Sequence, residues 1–406
     1  MASVFPFAAY SPSAENAPRV ATLPYDVMNR TEAARMAKGN PMSFLRVTRS
    51  EIELPDDVNP YAVAVYQRAT ANWHAFVADK TVVKDTRPAF YVYSLVMDDR
   101  RQTGIVACAS VDDYNRGIVR RHERTRREKE EDRTRHISML RVQTGPVFLT
   151  HRDDPTVADV TAAAMATDPL FDFTADDGIR HTGWRVPADL TDRLAQAFAD
   201  IPRLYIADGH HRAASAARTH AALVENNTHS PESGRFLAVI FPAGQLRILP
   251  YNRLILNLGV MSQPEFLRKM REACTMEPAA SPVPPRAGQC CMYFQRQWHL
   301  ITFDRPDPDA SVIDQLDVSI LQHDILAPIL GIEDPRTSKR IDFVGGIRGT
   351  DELERRVDSG EAVAAFSMFP TSLDQLMDIA DHDDIMPPKS TWFEPKLRDG
   401  LFVHEI

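Results

Sequence analysis

The stretch Arg203-Leu204-Tyr205-Ile206-Ala207-Asp208-Gly209-His210-His211-Arg212-Ala213-Ala214-Ser215 decides how the rest of the chain is read. Its first part is a short apolar run of strand character that ends at Ala207. Its last part opens an alanine-rich run of helical character, from near His211 to about Glu225. Between them stand an acid, a glycine, two imidazoles and a guanidinium. A helix N-terminus offers N–H groups with no intrahelical partner and the positive end of the helix dipole. Gly209 lets the backbone approach a ligand closely, and Arg212 adds a planar fork suited to phosphate. The turn is read as an anion site, with a phosphoryl group as the expected anion. The plainer alternative is that Asp208 caps the helix and the histidines decorate its first turn. A cap needs one such residue, and here there are five in succession.

Outward from this turn, the pattern alternates strands and helices. Thr31–Ala37 is helical in character and ends at Gly39-Asn40-Pro41. Ser43–Thr48 reads as a strand, and residues 60–79 as a helix with Tyr61, Val65, Ala69, Trp73 and Phe76 near helical spacing. Phe90–Met97 and Thr103–Ser110 are predicted to pair as a hairpin across Asp98–Arg101. Pro146–Thr150 and Phe236–Phe241 read as further strands, and residues 187–200 as a helix. Prolines 278, 282, 284 and 285 mark a loop or linker. Beyond it, Cys291–Phe294 and His299–Phe303 form a predicted strand pair, and Ala362–Phe369 another strand. Ser372 with Gln375 predicts a capping box.

A second signal is the charged run from about Arg120 to Ser138, read as one helix. His122, Arg126, Lys129 and Arg133 then share one face, which could neutralise a nucleotide, and Glu123 lies at the edge of that face as a candidate base. A solvated helix laced with pairs such as Glu123 and Arg127 explains the same charges. A third signal is the segment Met386–Leu397, where Pro387 and Pro388 stiffen the chain before Lys389, Ser390 and Thr391. It could line a pocket or strap the core. Arg340–Gly349 reads as a strand and glycine turn. No phosphate loop of the G-x-x-x-x-G-K type, no G-x-G-x-x-G fingerprint, no G-x-S-x-G elbow and no H-E-x-x-H zinc helix occurs.

The 406 residues suit two domains. A net charge of -9 argues against broad nucleic-acid binding. The four cysteines form no C-x-x-C pair, so reduced thiols and a cytoplasmic location are expected. No run approaches the roughly 20 apolar residues of a membrane span, so no membrane association is expected.

Several motifs together resemble the bacterial domain-of-unknown-function 1015 family over nearly the whole chain. These are Pro24-Tyr25-Asp26-Val27, Gly39-Asn40-Pro41 with Ser43-Phe44, the His122–Arg133 segment with Glu123, Thr125, Lys129, Glu130 and Asp132, the Asp208–Arg212 turn, Phe343–Gly349 and Met386–Lys396. That family resembles the ParB/sulfiredoxin-like fold and is similar to the SerK-type free serine kinases, which share the D-G-H-H-R turn. The resemblance implies an α+β fold with mixed sheets, a ParB/sulfiredoxin-like phosphotransferase domain over 1–241 and a C-terminal α/β lobe over 242–406. It implies phosphoryl transfer between ADP or ATP and free serine or phosphoserine, which in reverse makes serine. Glu123 would act as base, with Asp26 as fallback, and Asp208 and His211 would be catalytic. Gly209, His210, Arg212, His122, Thr125, Lys129 and Arg133 would bind the nucleotide, and Asp208 would ligate Mg²⁺. The alternatives are a ParB-like nucleotide-binding regulator without turnover and a phosphoserine phosphatase. A homodimer is compatible with the sequence.

Overall fold

The computed structural model describes residues 1–304 and 309–406. They form a mixed α+β protein with several sheets and thirteen α-helices among the described residues. The chain divides into two compact units: Met1–Leu246 together with Pro395–Ile406, and Arg247–Glu394. The expected division at 242 assigned all later residues to one lobe. In the structure residues 395–406 belong to the first unit, where His404–Glu405 pairs with Val142–Gln143 and the main chains of Asp399 and Thr22 bond each other.

The first unit is built on a nine-stranded sheet. Its path runs Val119–Arg120, Leu204–Asp208, Val147–His151, Arg235–Pro242, Arg100–Ser110, Tyr91–Met97, Arg180–Arg185 and Phe171–Thr174, with Val4–Phe5 added beside Arg100–Ser110. Two of these pairings are parallel, Leu204–Asp208 with Val119–Arg120 and Arg235–Pro242 with Val147–His151. The central strands are continuous apolar runs because both of their faces are covered. Val106, Ala107, Cys108, Val239 and Ile240 are wholly buried. The Tyr91–Met97 and Arg100–Ser110 strands form the expected hairpin.

The second unit carries a six-stranded sheet in which every pair is antiparallel, in the order Thr275–Pro278, Gln297–Thr302, Gln289–Phe294, Ala364–Met368, Tyr251–Ile255, Ile341–Gly345. It is therefore α+β rather than the expected α/β lobe. The helix Leu373–Asp381 starts with the predicted reciprocal cap between Ser372 and Gln375.

Two local expectations are corrected. Leu45–Thr48 is a helical turn rather than a strand, with Phe44 buried against Trp73 and Phe76. The charged helix spans Arg127–Leu140. Upstream of it, Val119–Arg120 is a strand bonded to Leu204–Tyr205, and sheet pairing there overrides the helical character of the run. His122 and Arg126 therefore lie outside the helix, and the proposed four-residue basic face does not form. No helix among the described residues is long and apolar enough to cross a membrane.

Candidate functional site

The Leu204–Asp208 strand passes through Gly209 into the helix His210–Glu225. Gly209 has φ +92°, and a Cβ there would stand 3.3 Å from the Val147 backbone. A glycine suits this position on both counts, because side chains strain in the left-handed region. The helix has no side-chain cap and no acid in its first turn. The Arg212 and Ala213 amides bond the Gly209 carbonyl, which leaves the His210 and His211 amides at the open end of the helix. Asp208 does not cap it. One Asp208 oxygen accepts the Gly209 N–H at 2.7 Å, and the other accepts Lys396 Nζ at 2.8 Å. Burial would raise the Asp208 pKa, but Lys396 and Arg212 outweigh it and hold the carboxylate below its ordinary range.

Arg212 is nine-tenths buried. Its Nη1 donates to the Pro146 carbonyl at 2.7 Å, and its Nη2 reaches Asp26 at 3.4 Å. The Tyr25 ring lies beside both guanidinium groups of the region, 4.1 Å from Arg133 and 5.8 Å from Arg212. Although burial opposes its charge, Asp26, Asp399 and Asp208 keep Arg212 firmly protonated. Asp26 itself is exposed.

The two histidines of the turn differ. His210 is buried, and its ring meets the buried His122 ring edge-on at 4.5 Å. Its Nδ1 lies 3.7 Å from the half-exposed Glu123 carboxylate, and its Nε2 has no partner. Burial and the neighbouring His122 push its pKa well down, and burial brings His122 to about 4. Both rings are neutral near pH 7. His211 instead accepts the Arg126 N–H through Nε2 at 3.0 Å. That acceptor role puts the His211 proton on Nδ1, so Nε2 is not the atom that donates to a ligand.

The remaining predicted residues lie further along the neighbouring segment. Glu123 sits in the bend before the Arg127–Leu140 helix and not on it. Thr125 donates to Glu130 at 2.8 Å, and Lys129 is exposed in the first turn of that helix. Arg133 turns inward, bonds Asp132 and stacks on Tyr25. Asp208, Gly209, His210, Arg212, His122 and Glu123 thus come together, while Thr125 and Lys129 serve the flanking helix and Arg133 packs behind the site on Tyr25. Two residues of the site were not singled out from sequence: Lys396, inside the Met386–Lys396 motif, and Asp399 just beyond it. The one available signal was Pro395-Lys396, a cation next to a rigid residue. Lys389, the cation preferred from sequence, belongs to the second unit and donates to the Tyr251 hydroxyl at 3.3 Å.

The fold and this turn define an α+β protein with an uncapped helix end beside which Arg212 and Lys396 stand. The sequence matches the family described as protein of unknown function (DUF1015) over residues 4–319, and the chain belongs to that family. No curated protein matches it. Solved structures that resemble it include a free serine kinase in complex with AMP, at 11% identity over 71% of this chain and 86% of that one, with a TM-score of 0.36. A conserved hypothetical protein from Pyrococcus furiosus is 13% identical over 74% of this chain and 95% of that one, with a TM-score of 0.36. A C-terminally truncated SbnI from Staphylococcus aureus is 10% identical over 71% and 82%, with a TM-score of 0.39. At these scores none of the three bears on activity.

Proposed function

We propose that this protein is a phosphotransferase acting between a nucleotide, ADP or ATP, and free serine or phosphoserine, with the Asp208 turn set in a ParB/sulfiredoxin-like core. One observation carries the reading: the helix His210–Glu225 opens without a cap or an acid, and Arg212 and Lys396 stand beside that open end. Phosphoryl transfer depends mainly on positioning and on neutralising charge. Main-chain amides of the turn and Arg212 bind a phosphate. Lys396 is shared between Asp208 and the incoming anion. Glu123, half-exposed beside His210, takes the proton from the serine hydroxyl, with Asp26 as the alternative base. Serine as the substrate rests on the turn sequence shared with the SerK-type kinases.

Mg²⁺ was expected on Asp208. Both Asp208 oxygens already face donors, and among the described residues no group of three His, Cys, Asp or Glu side chains could hold a metal ion. Asp208 does not fit as a resident metal ligand while Lys396 occupies it. The reading takes the protein to be cytoplasmic, with its cysteines as free thiols, and allows a homodimer.

The test offers the purified protein ATP with serine, and ADP with phosphoserine, each with and without Mg²⁺, while calorimetry follows ADP binding. Turnover in either direction is expected. Arg212→Ala should weaken ADP binding by roughly 10- to 100-fold, the value of a lost charge-assisted hydrogen bond. Binding without turnover would point to a nucleotide-responsive regulator. Phosphate released from phosphoserine without nucleotide would point to a hydrolase. ADP binding that is unchanged in a folded Arg212→Ala protein would sink the site itself.

A further inference from the structure

Behind Arg212 lies a small chamber of mixed polar and apolar lining that the proposed reaction does not use. It has a volume of about 30 Å³, and its walls include Tyr25, Arg133, His136, Gly145, Arg212 and Asp399. Asp399 is almost completely buried. The Tyr25 main-chain N–H donates to its carboxyl group, but Oδ1 has no partner. Arg212 Nε likewise has none, although both Nη atoms are engaged. An acceptor and a donor, each buried and each unsatisfied, therefore belong to two residues that border one space with room for one or two waters. Buried polar groups are rarely left in that state, and a cavity of this size with polar partners on its walls holds water.

We propose that Asp399 is the positioning residue of Arg212: water in the chamber joins Asp399 Oδ1 to Arg212 Nε and fixes the plane in which the guanidinium meets the phosphate. The proposal rests on the reading of Arg212 as a phosphate ligand, and it adds a residue that touches neither ligand nor reacting atoms. Two further features support it. Gly145 is the only residue type that admits the carboxyl, since a Cβ there would stand 2.2 Å from Asp399 Oδ1. The Asp399 backbone is also clamped by paired bonds to Thr22, which precedes the Tyr25–Asp26 segment.

The charged and titratable groups around Asp399 are Arg212 from the helix behind the turn, Arg133 and His136 from the Arg127–Leu140 helix, and Tyr25 and Asp26 from the N-terminal loop. Burial raises the Asp399 pKa, and Asp26 raises it further, against the opposing pull of Arg212 and Arg133, to about 7. His136 is buried to a pKa of about 3 and stays neutral through this range. An anion bound at Arg212 favours the protonated acid, so binding draws in a proton and affinity falls as pH rises through 7.

The experiment has a ligand-bound arm and a ligand-free arm. In the first, ADP affinity is measured from pH 5.5 to 8.5 for the parent, Asp399→Asn and Asp399→Leu. The ratio of parent to Asp399→Asn dissociation constants cancels the titration of ADP itself. That ratio should rise several-fold across pH 7. Asp399→Leu removes the acceptor and should lose about tenfold in affinity at every pH. In the second arm, the Arg212 Nε–H resonance is followed by NMR without ligand. It should exchange slowly and shift with a midpoint near 7 in the parent, and stay constant with pH in Asp399→Asn. A resonance that titrates identically in both proteins overturns the proposal, as does an Asp399→Leu protein that binds ADP like its parent. If the parent binds no ADP, the phosphate reading fails, and the NMR arm alone decides the coupling.

Discussion

Each unit contains a turn in which a strand leads through glycine to an uncapped helix, and these two turns part company in the first helical residues. In the second unit, the strand Ile341–Gly345 leads through Gly349 to the helix Asp351–Asp358, whose first turn holds Asp351, Glu352 and Glu354. Those carboxylates neutralise the positive end of the helix from within. The helix His210–Glu225 has no acid in that place, and Arg212 adds positive charge to it. Neither helix has a side-chain cap. Of these two helix ends, only the one in the first unit carries no acid of its own.

The largest effect expected at the open turn is on chemistry. Glu123→Gln keeps the shape of the side chain and removes its basicity, so turnover should fall by about 10²- to 10⁴-fold while ADP affinity stays within about threefold. Unchanged turnover would remove Glu123 from the reaction and turn attention to Asp26→Asn. A smaller effect comes from making the open turn resemble the closed one. His211→Glu places an acid in the first turn and still offers an acceptor to the Arg126 N–H. Its charge opposes bound phosphate through the helix end, and calorimetry should show ADP binding weakened by about 2- to 30-fold. An unchanged affinity would mean that the helix end does not face the anion. The smallest effect is expected on the other side of the comparison. Glu352→Gln should lower stability by less than about 1 kcal/mol in thermal unfolding and leave ADP binding unaltered.

What could be read from the sequence was local. The Asp208–Gly209 turn, the hairpin of Tyr91–Met97 with Arg100–Ser110 and the cap at Ser372 each follow from residues a few positions apart. The start of the charged helix is not legible in the sequence because the bond partners of Val119–Arg120 lie on Leu204–Tyr205, far along the chain. The same distance hid Lys396. It is separated from Asp208 by 188 positions, and nothing near Asp208 announces an ammonium group. Asp399 was harder still, since an isolated aspartate near a chain end reads as surface. Its burial depends on Gly145, Tyr25 and Arg212, which come from three separate parts of the first unit.

The return of residues 395–406 to the first unit has a consequence for biosynthesis. A ribosome delivers the Asp208 turn early, yet the lysine and the aspartate that complete it emerge only after all of 247–394 has been translated. Until the tail arrives, the Asp208 carboxylate of the nascent chain has Arg212 nearby but lacks the Lys396 ammonium that it faces in the folded protein. Completion of the turn is coupled to completion of the polypeptide, so a prematurely terminated product would carry the motif without Lys396 and Asp399 beside it.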